Sequence, residues 1–449
     1  MRLFLIFIVI FANQLIQKNM IVTFTVGNFR SFKDKMTLDF RASSISELSE
    51  NVATLKDKTK LLRTMAVYGA NSSGKSNLIK AMKQMKDMIG NSVKLNASDN
   101  LDYNPFLFST ETEGQPTFFE LDFYMDADRY RYGFEYNKTH IVTEWLFKTV
   151  KKKEEWLFLR ENGEITVNEE TFAEGLHKAE ATNENRLFLS LVSQLKGEVC
   201  AKIMEWFRMG FSIISGIEEV DYQEESEKLI HKVDKELNEH FFQPLKLGFS
   251  KLYIEESAFD VSKKFPELIS INKLINKKEL QKIWEDEKVM EVYTVHNKYD
   301  SNGKAISEVS LDCREQESDG TNKVISLSYP IWAALLKGRT LIIDEIDTKL
   351  HPIITQELIK YFTSPHFMNR NPQLFFSTHD TNLLSSDLLR RDQVWFTEKD
   401  EVEQTDLYRL ADIHLPDGSK IRKDANLEKN YIQGRYGAIP YISHHSNQE

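Results

Sequence analysis

The octapeptide Gly69-Ala70-Asn71-Ser72-Ser73-Gly74-Lys75-Ser76 constrains this chain more than any other feature, because it fits G-x-x-x-x-G-K-[ST] and sits between a strand and a helix. The apolar run Thr64 to Tyr68 precedes it, and Leu78, Met82, Met85 and Ile89 follow at helical spacing, with Gly90 ending the helix. Glycines let the backbone curl so that its N–H groups and the helix N-terminus surround a β-phosphate. Lys75 then supplies a point charge to the β- and γ-oxygens, and Ser76 a hydroxyl to Mg²⁺. Residues 69 to 76 are therefore the candidate ATP-binding set.

Two later segments supply what such a loop lacks. Leu341-Ile342-Ile343 is a strand of the kind buried in parallel sheets, and it ends in two carboxylates, Asp344 and Glu345. Their expected roles differ: Asp344 holds the magnesium, while Glu345 polarises the attacking water as general base. Phe375-Phe376-Ser377-Thr378-His379-Asp380 is a second buried strand end, where a histidine either reaches the γ-phosphate as a switch or serves as a hydrogen-bonded structural residue. Its place after the other two motifs favours the switch. Glu317-Ser318-Asp319-Gly320-Thr321 precedes an amphipathic helix bearing Val324, Leu327, Ile331 and Leu335. Two readings stand for this turn: an anion site at a helix N-terminus, or an ordinary N-cap by Ser318 or Thr321.

At 449 residues the chain exceeds one hydrophobic core, and with 41% hydrophobic and 28% charged residues it reads as an ordinary globular protein. A net charge of -10 and a pI near 5.7 argue against a surface built as a whole to trap nucleic acid. Lys151-Lys152-Lys153 reads as a solvated turn. Cys200 and Cys313 lie far apart without metal-ligand spacing, which fits a reduced cytosol and a cytoplasmic protein. The opening Arg2 with Leu3 to Ala12 resembles a signal peptide but lacks a cleavage site and is too short to span a bilayer. We expect translation to start at Met20, where Met20 to Val26 forms an opening strand, leaving 1–19 as a mis-called extension and no membrane association.

The pattern predicts an α/β chain with a nucleotide-binding sheet split in sequence. The expected pieces are an N-terminal ATPase lobe over 20–169, an inserted and mainly helical accessory lobe over 170–310, a C-terminal ATPase lobe over 311–410 and a tail over 411–449. Thr23 to Val26 and Met36 to Phe40 read as paired strands, as do Phe118 to Phe123 and Tyr130 to Phe134 around the turn Asp126-Ala127-Asp128. Glu224 to Asn238 reads as a solvated helix, and heptads do not persist long enough for a coiled-coil arm.

Taken together, Asn28-Phe29-Arg30-Ser31-Phe32, the phosphate loop, Glu317 to Thr321, Asp344-Glu345 with Leu350-His351-Pro352, and Ser377 to Asp380 resemble the ATPase subunits of RloA/AbiL-type phage-defence systems. These are relatives of the OLD-family and SMC-like ATPases. Arg390-Arg391-Asp392 and Gly434 to Pro440 also look like that family, and separate it from RecF-like repair proteins better than the ATP motifs do. No glutamine-loop equivalent is evident, although Asn104-Pro105-Phe106 lies in the right interval. The resemblance implies an ABC/SMC-like P-loop head that hydrolyses ATP with Mg²⁺. It also implies a head-to-tail dimer or higher oligomer in which Ser318 and Gly320 of one subunit reach the γ-phosphate held by another. OLD-family proteins often carry a Toprim nuclease after the ATPase, but only about fifty residues follow Asp400, too few for such a domain. The expected effector is thus a separately encoded, RloB-like partner. The competing readings are a RecF-like DNA repair ATPase, which predicts DNA binding by this chain alone, and a slow nucleotide-switch scaffold.

Overall fold

A computed structural model describes residues 19–215, 235–258, 288–415 and 418–440. The expected extension at 1–19 lies outside them save Asn19, as does most of the helix expected over Glu224 to Asn238. The chain divides into two units: Met1–Ile217 with Ala333–Thr348 and Pro352–Glu449, and Glu218–Trp332 with Lys349–His351.

In the first unit, β1 (Met20–Gly27) and β2 (Met36–Asp39) pair antiparallel, as the alternation predicts, and β3 (Val52–Thr54) pairs with β4 (Lys60–Leu62). The buried strand β5 (Thr64–Tyr68) leads through the glycine loop into α1 (Lys75–Asn91), which runs one residue beyond Gly90. Leu78, Met82, Met85 and Ile89 are all buried, so the helix packs by the face its spacing defines. A meander follows: β6 (Thr117–Met125), β7 (Asp128–Tyr136), β8 (Ile141–Val150), β9 (Lys153–Glu161) and β10 (Glu164–Val167). With β1 and β2 these strands form a seven-stranded sheet in the order β10-β9-β8-β7-β6-β1-β2. Lys151 and Lys152 form the exposed turn between β8 and β9.

Residues 170–217, expected in the accessory lobe, belong to this first unit. They form α2 (Phe188–Gln194), α3 (Glu198–Met209) and β11 (Phe211–Ser215). The reason is apolar content: Phe188, Leu189, Ile203, Trp206 and Phe211 share one buried cluster with Leu78 and Phe123. Glu144 of β8 fixes the arrangement by accepting from the backbone N–H groups of Phe188 (2.7 Å) and Leu189 (3.1 Å) at the start of α2.

In the second unit, β12 (Lys251–Ala258), β13 (Lys288–Tyr299) and β14 (Ala305–Asp312) make a three-stranded antiparallel sheet, so the insert is not built from helices alone. α4 (Asp319–Lys337) begins in this unit and contains Pro330. Val324, Leu327, Ile331 and Leu335 are buried, as the spacing predicts. Cys200 and Cys313 are buried thiols, not a disulfide.

The split nucleotide sheet is completed by β15 (Thr340–Asp344), β16 (Gln373–Ser377), β17 (Val394–Lys399) and β18 (Thr405–Arg409), with α5 (Pro352–Tyr361) between the first two and α6 (Leu427–Ile432) near the end. Its order is β11-β15-β16-β5-β17-β18, parallel except for the β17–β18 hairpin. Strand β16 thus lies between the Asp344 strand and the phosphate-loop strand. The buried Gln373 side chain joins the three sheets of this unit, accepting from Ile21 N of β1 and Thr340 Oγ1 of β15 at 2.9 Å and donating to Leu62 O of β4 at 3.0 Å.

Candidate functional site

Gly69 and Gly74 are glycines for reasons of space. A Cβ at Gly69 would lie 2.4 Å from Ser73 Oγ and from Thr397 O. At Gly74 it would lie 2.4 Å from Thr405 Oγ1, and φ there is +115°, a left-handed conformation that side chains disfavour. The same hairpin residues hold the loop: Thr397 Oγ1 and Ser73 Oγ are 2.7 Å apart, and Thr405 Oγ1 donates to Ser73 O (2.9 Å). Ser31, from the Asn28 to Phe32 motif, joins this network through Asn77 Nδ2 (2.9 Å) and Thr405 Oγ1 (2.8 Å). Asn28 accepts from Phe106 N (3.0 Å) and donates to Gln115 O (2.7 Å), so the Asn104-Pro105-Phe106 segment is packed against that motif.

Lys75 is buried and donates to the carbonyls of Gly69 (2.8 Å) and Ala70 (3.0 Å). Burial lowers its pKa to about 8, against the raising effect of Asp344, Glu345 and Asp347. A pocket of about 500 Å³ is lined by Asn71 to Asn77, Glu345, His379 and Lys399. The fold therefore brings together three segments that are far apart in sequence: the phosphate loop, the end of β15 and the residue beyond β16.

The acidic pair is held by Ser377 at the end of β16. Its hydroxyl donates to Asp344 Oδ1 (2.5 Å) and accepts from Glu345 N–H (2.7 Å). Glu345 itself has φ of +56°, an uncommon conformation for a side-chain-bearing residue that turns the chain sharply at the strand end. Two residues on, Asp347 has a buried Oδ1 with no hydrogen-bond partner. His379 lies exposed on the pocket rim, and partial desolvation together with the Lys75 ammonium lowers its pKa.

Ser318 and Gly320 belong to the second unit. There Ser318 Oγ accepts from Thr321 N (3.1 Å) and Asn322 N bonds Ser318 O (2.9 Å), so Ser318 caps α4. Arg390-Arg391-Asp392 is a structural staple of the first unit. Arg390 pairs with Asp392 in full burial and donates to Glu47 O, while Arg391 pairs with Glu47. Gly434 to Pro440 folds back on the sheet, where Tyr431 OH donates to Ala438 O (3.0 Å) and Tyr408 OH to Tyr436 O (2.9 Å).

From the sequence, Asp347, Asn77 and Lys399 have no assigned role, and Ser377 appears only as a member of the Ser377 to Asp380 motif, without a role of its own. Ser377 has a signal, since it opens that motif at the end of a buried strand. Lys399 has none, because its place depends on the pairing of β17 with β5.

No helix among the described residues is long and apolar enough to cross a membrane. No curated protein matches the chain. Among solved structures, an SMC head domain from Thermotoga maritima is similar at 12% identity and a TM-score of 0.39, covering 87% of this chain and 98% of that one. An SMC head bound to the C-winged helix domain of ScpA is similar at 11% identity and a TM-score of 0.42, covering 87% of this chain and 97% of that one. The family model described as "AAA domain, putative AbiEii toxin, Type IV TA system" matches residues 65–385, well over half of the sequence, so the chain belongs to this family of AAA-domain ATPases.

Proposed function

We propose that the chain is the ATP-hydrolysing subunit of an ABC/SMC-like, RloA/AbiL-type defence system, acting in the cytoplasm and controlling a separately encoded effector in abortive infection of phage-infected cells. The observation that carries the ATPase chemistry is the single pocket onto which the phosphate loop, Glu345 and His379 all open. The toxin of a toxin–antitoxin system named in the family description supports the defence role. The net charge of -10 gives no support to the DNA-repair reading.

In this reading the loop N–H groups from Ala70 to Ser76 receive the β-phosphate, and Lys75 exchanges its two loop carbonyls for phosphate oxygens. The donors offered to a magnesium ion are hard oxygens, the Ser76 hydroxyl and the Asp344 carboxylate, which suit that ion, and Ser377 already orients the carboxylate. Bound there, Mg²⁺ would neutralise charge on the β- and γ-oxygens. Glu345 takes a proton from the attacking water. The lowered pKa of His379 keeps its imidazole neutral at cytoplasmic pH, so one ring nitrogen can accept a hydrogen bond from that water while the other donates to the γ-phosphate. Ser318 and Gly320 close the site from a second subunit.

The test compares Lys75→Ala with Glu345→Gln, alone and co-expressed with the product of the neighbouring gene. Lys75→Ala is expected to abolish tight ATP binding, and Glu345→Gln to keep binding but lose at least roughly 100-fold in turnover. Equal loss of ATP affinity in both variants contradicts these roles. Full phage resistance from this chain in a host lacking the neighbour contradicts control of a separate effector.

A further inference from the structure

The pocket holds one cation that the reading above does not use. Lys399 lines it together with the phosphate loop, Glu345 and His379. It is the last residue of β17, and its ammonium pairs with the more exposed Glu403 across the β17–β18 turn. Its backbone is fixed relative to the phosphate loop. Lys399 pairs in register with Thr405, Thr405 bonds the carbonyl of Ser73, and Thr397 of the same strand contacts the Ser73 hydroxyl.

Strand order shows which part of a nucleotide such a cation meets. Glu345 follows β15 and His379 follows β16, both on one side of β5 and its loop, whereas β17 lies on the other side. Resting on the reading that Glu345 and His379 act at the γ-phosphate, the chain of phosphates runs across the loop from β16 toward β17. The nucleoside end then lies over β17. We infer that Lys399 is a second nucleotide-binding cation, which leaves Glu403 to contact the α-phosphate. The exchange is favourable because a half-exposed surface ion pair contributes little, whereas a charge-assisted bond to a phosphate inside a cleft is stronger.

An α-phosphate contact is made equally to ADP and ATP, and this separates it from any role at the γ-phosphate. Affinities for both nucleotides are measured in a Glu345→Gln background, so that ATP is not consumed. Lys399→Ala is expected to weaken ADP and ATP by the same factor, about tenfold. Lys399→Arg should retain most of the affinity, and Glu403→Gln should strengthen both nucleotides about twofold by releasing the lysine. Melting without nucleotide checks that each variant is folded. Weakening of ATP alone would place Lys399 at the γ-phosphate and overturn the inference, as would unchanged affinity for both nucleotides in Lys399→Ala. Lys75→Ala, measured alongside, reports on the underlying reading: if that variant keeps wild-type affinity, the nucleotide site itself is misplaced, whatever Lys399 does.

Discussion

The Ser377 hydroxyl donates to Asp344 Oδ1 at 2.5 Å and accepts from the Glu345 N–H at 2.7 Å, so one side chain on β16 orients both acidic residues at the end of β15. A carboxylate offered to a metal ion works best when its rotamer is already fixed. Ser377→Ala should therefore lower ATP turnover about tenfold and raise the Mg²⁺ concentration needed for half-maximal rate, while metal-free ADP affinity stays within about twofold. Unchanged metal dependence, or a parallel loss of metal-free ADP binding, contradicts this positioning role.

Gly74 is doubly constrained, by its positive φ and by Thr405. Gly74→Ala should abolish measurable nucleotide binding and cost about 1–3 kcal/mol of stability. Adding Thr405→Gly removes the collision but leaves the backbone strain, so the double variant should recover only part of the stability. Thermal melts of the two variants beside wild type decide this, and wild-type stability in Gly74→Ala would show that the loop reshapes freely.

Sharing of sites between subunits is testable by mixing. Ser318→Arg and Lys75→Ala proteins should each be inactive, and an equimolar mixture should recover ATPase activity through heterodimers with one competent site. If the mixture stays inactive although both proteins are folded and associate, Ser318 does not act across subunits. Ser318 also caps α4, so a thermal melt of Ser318→Ala measures the structural part of the loss, expected to be about 1 kcal/mol of stability.

Glu144 supplies a pH-dependent effect on stability. Its buried carboxylate accepts from Tyr132 OH (2.8 Å) and two backbone N–H groups, and burial raises its pKa above 4.5 in spite of them. A raised folded-state pKa means that the folded protein keeps a proton the unfolded chain has released. The associated stability is therefore full below about 4.5 and declines as pH rises through the folded value. Glu144→Gln should remove that decline, gaining on wild type in melting temperature as pH rises from 4.5 toward neutrality. Glu144→Ala should cost about 3 kcal/mol at pH 4.5, where the wild-type contribution is full, and less as pH rises, because two N–H groups and a phenol lose their acceptor. A constant difference between Glu144→Gln and wild type across that range contradicts the assignment.

What the sequence determined by itself is local chemistry. The spacing of glycines around Lys75, the apolar runs before Asp344 and Ser377, and the 3.6-residue period from Leu78 to Ile89 each encode an element and its buried face without reference to the rest of the chain. What only the tertiary structure decided depends on which strands lie side by side. Insertion of β16 between β15 and β5 makes Ser377 the residue that orients Asp344, and pairing of β17 with β5 brings Lys399 to the phosphate loop. The apolar residues of 188–211 likewise joined the first unit rather than the insert, because their burial partners, Leu78 and Phe123, lie far away in sequence. Hydrogen-bond ladders and close packing act between neighbours in space, and a linear pattern carries no record of which distant segment the neighbour will be.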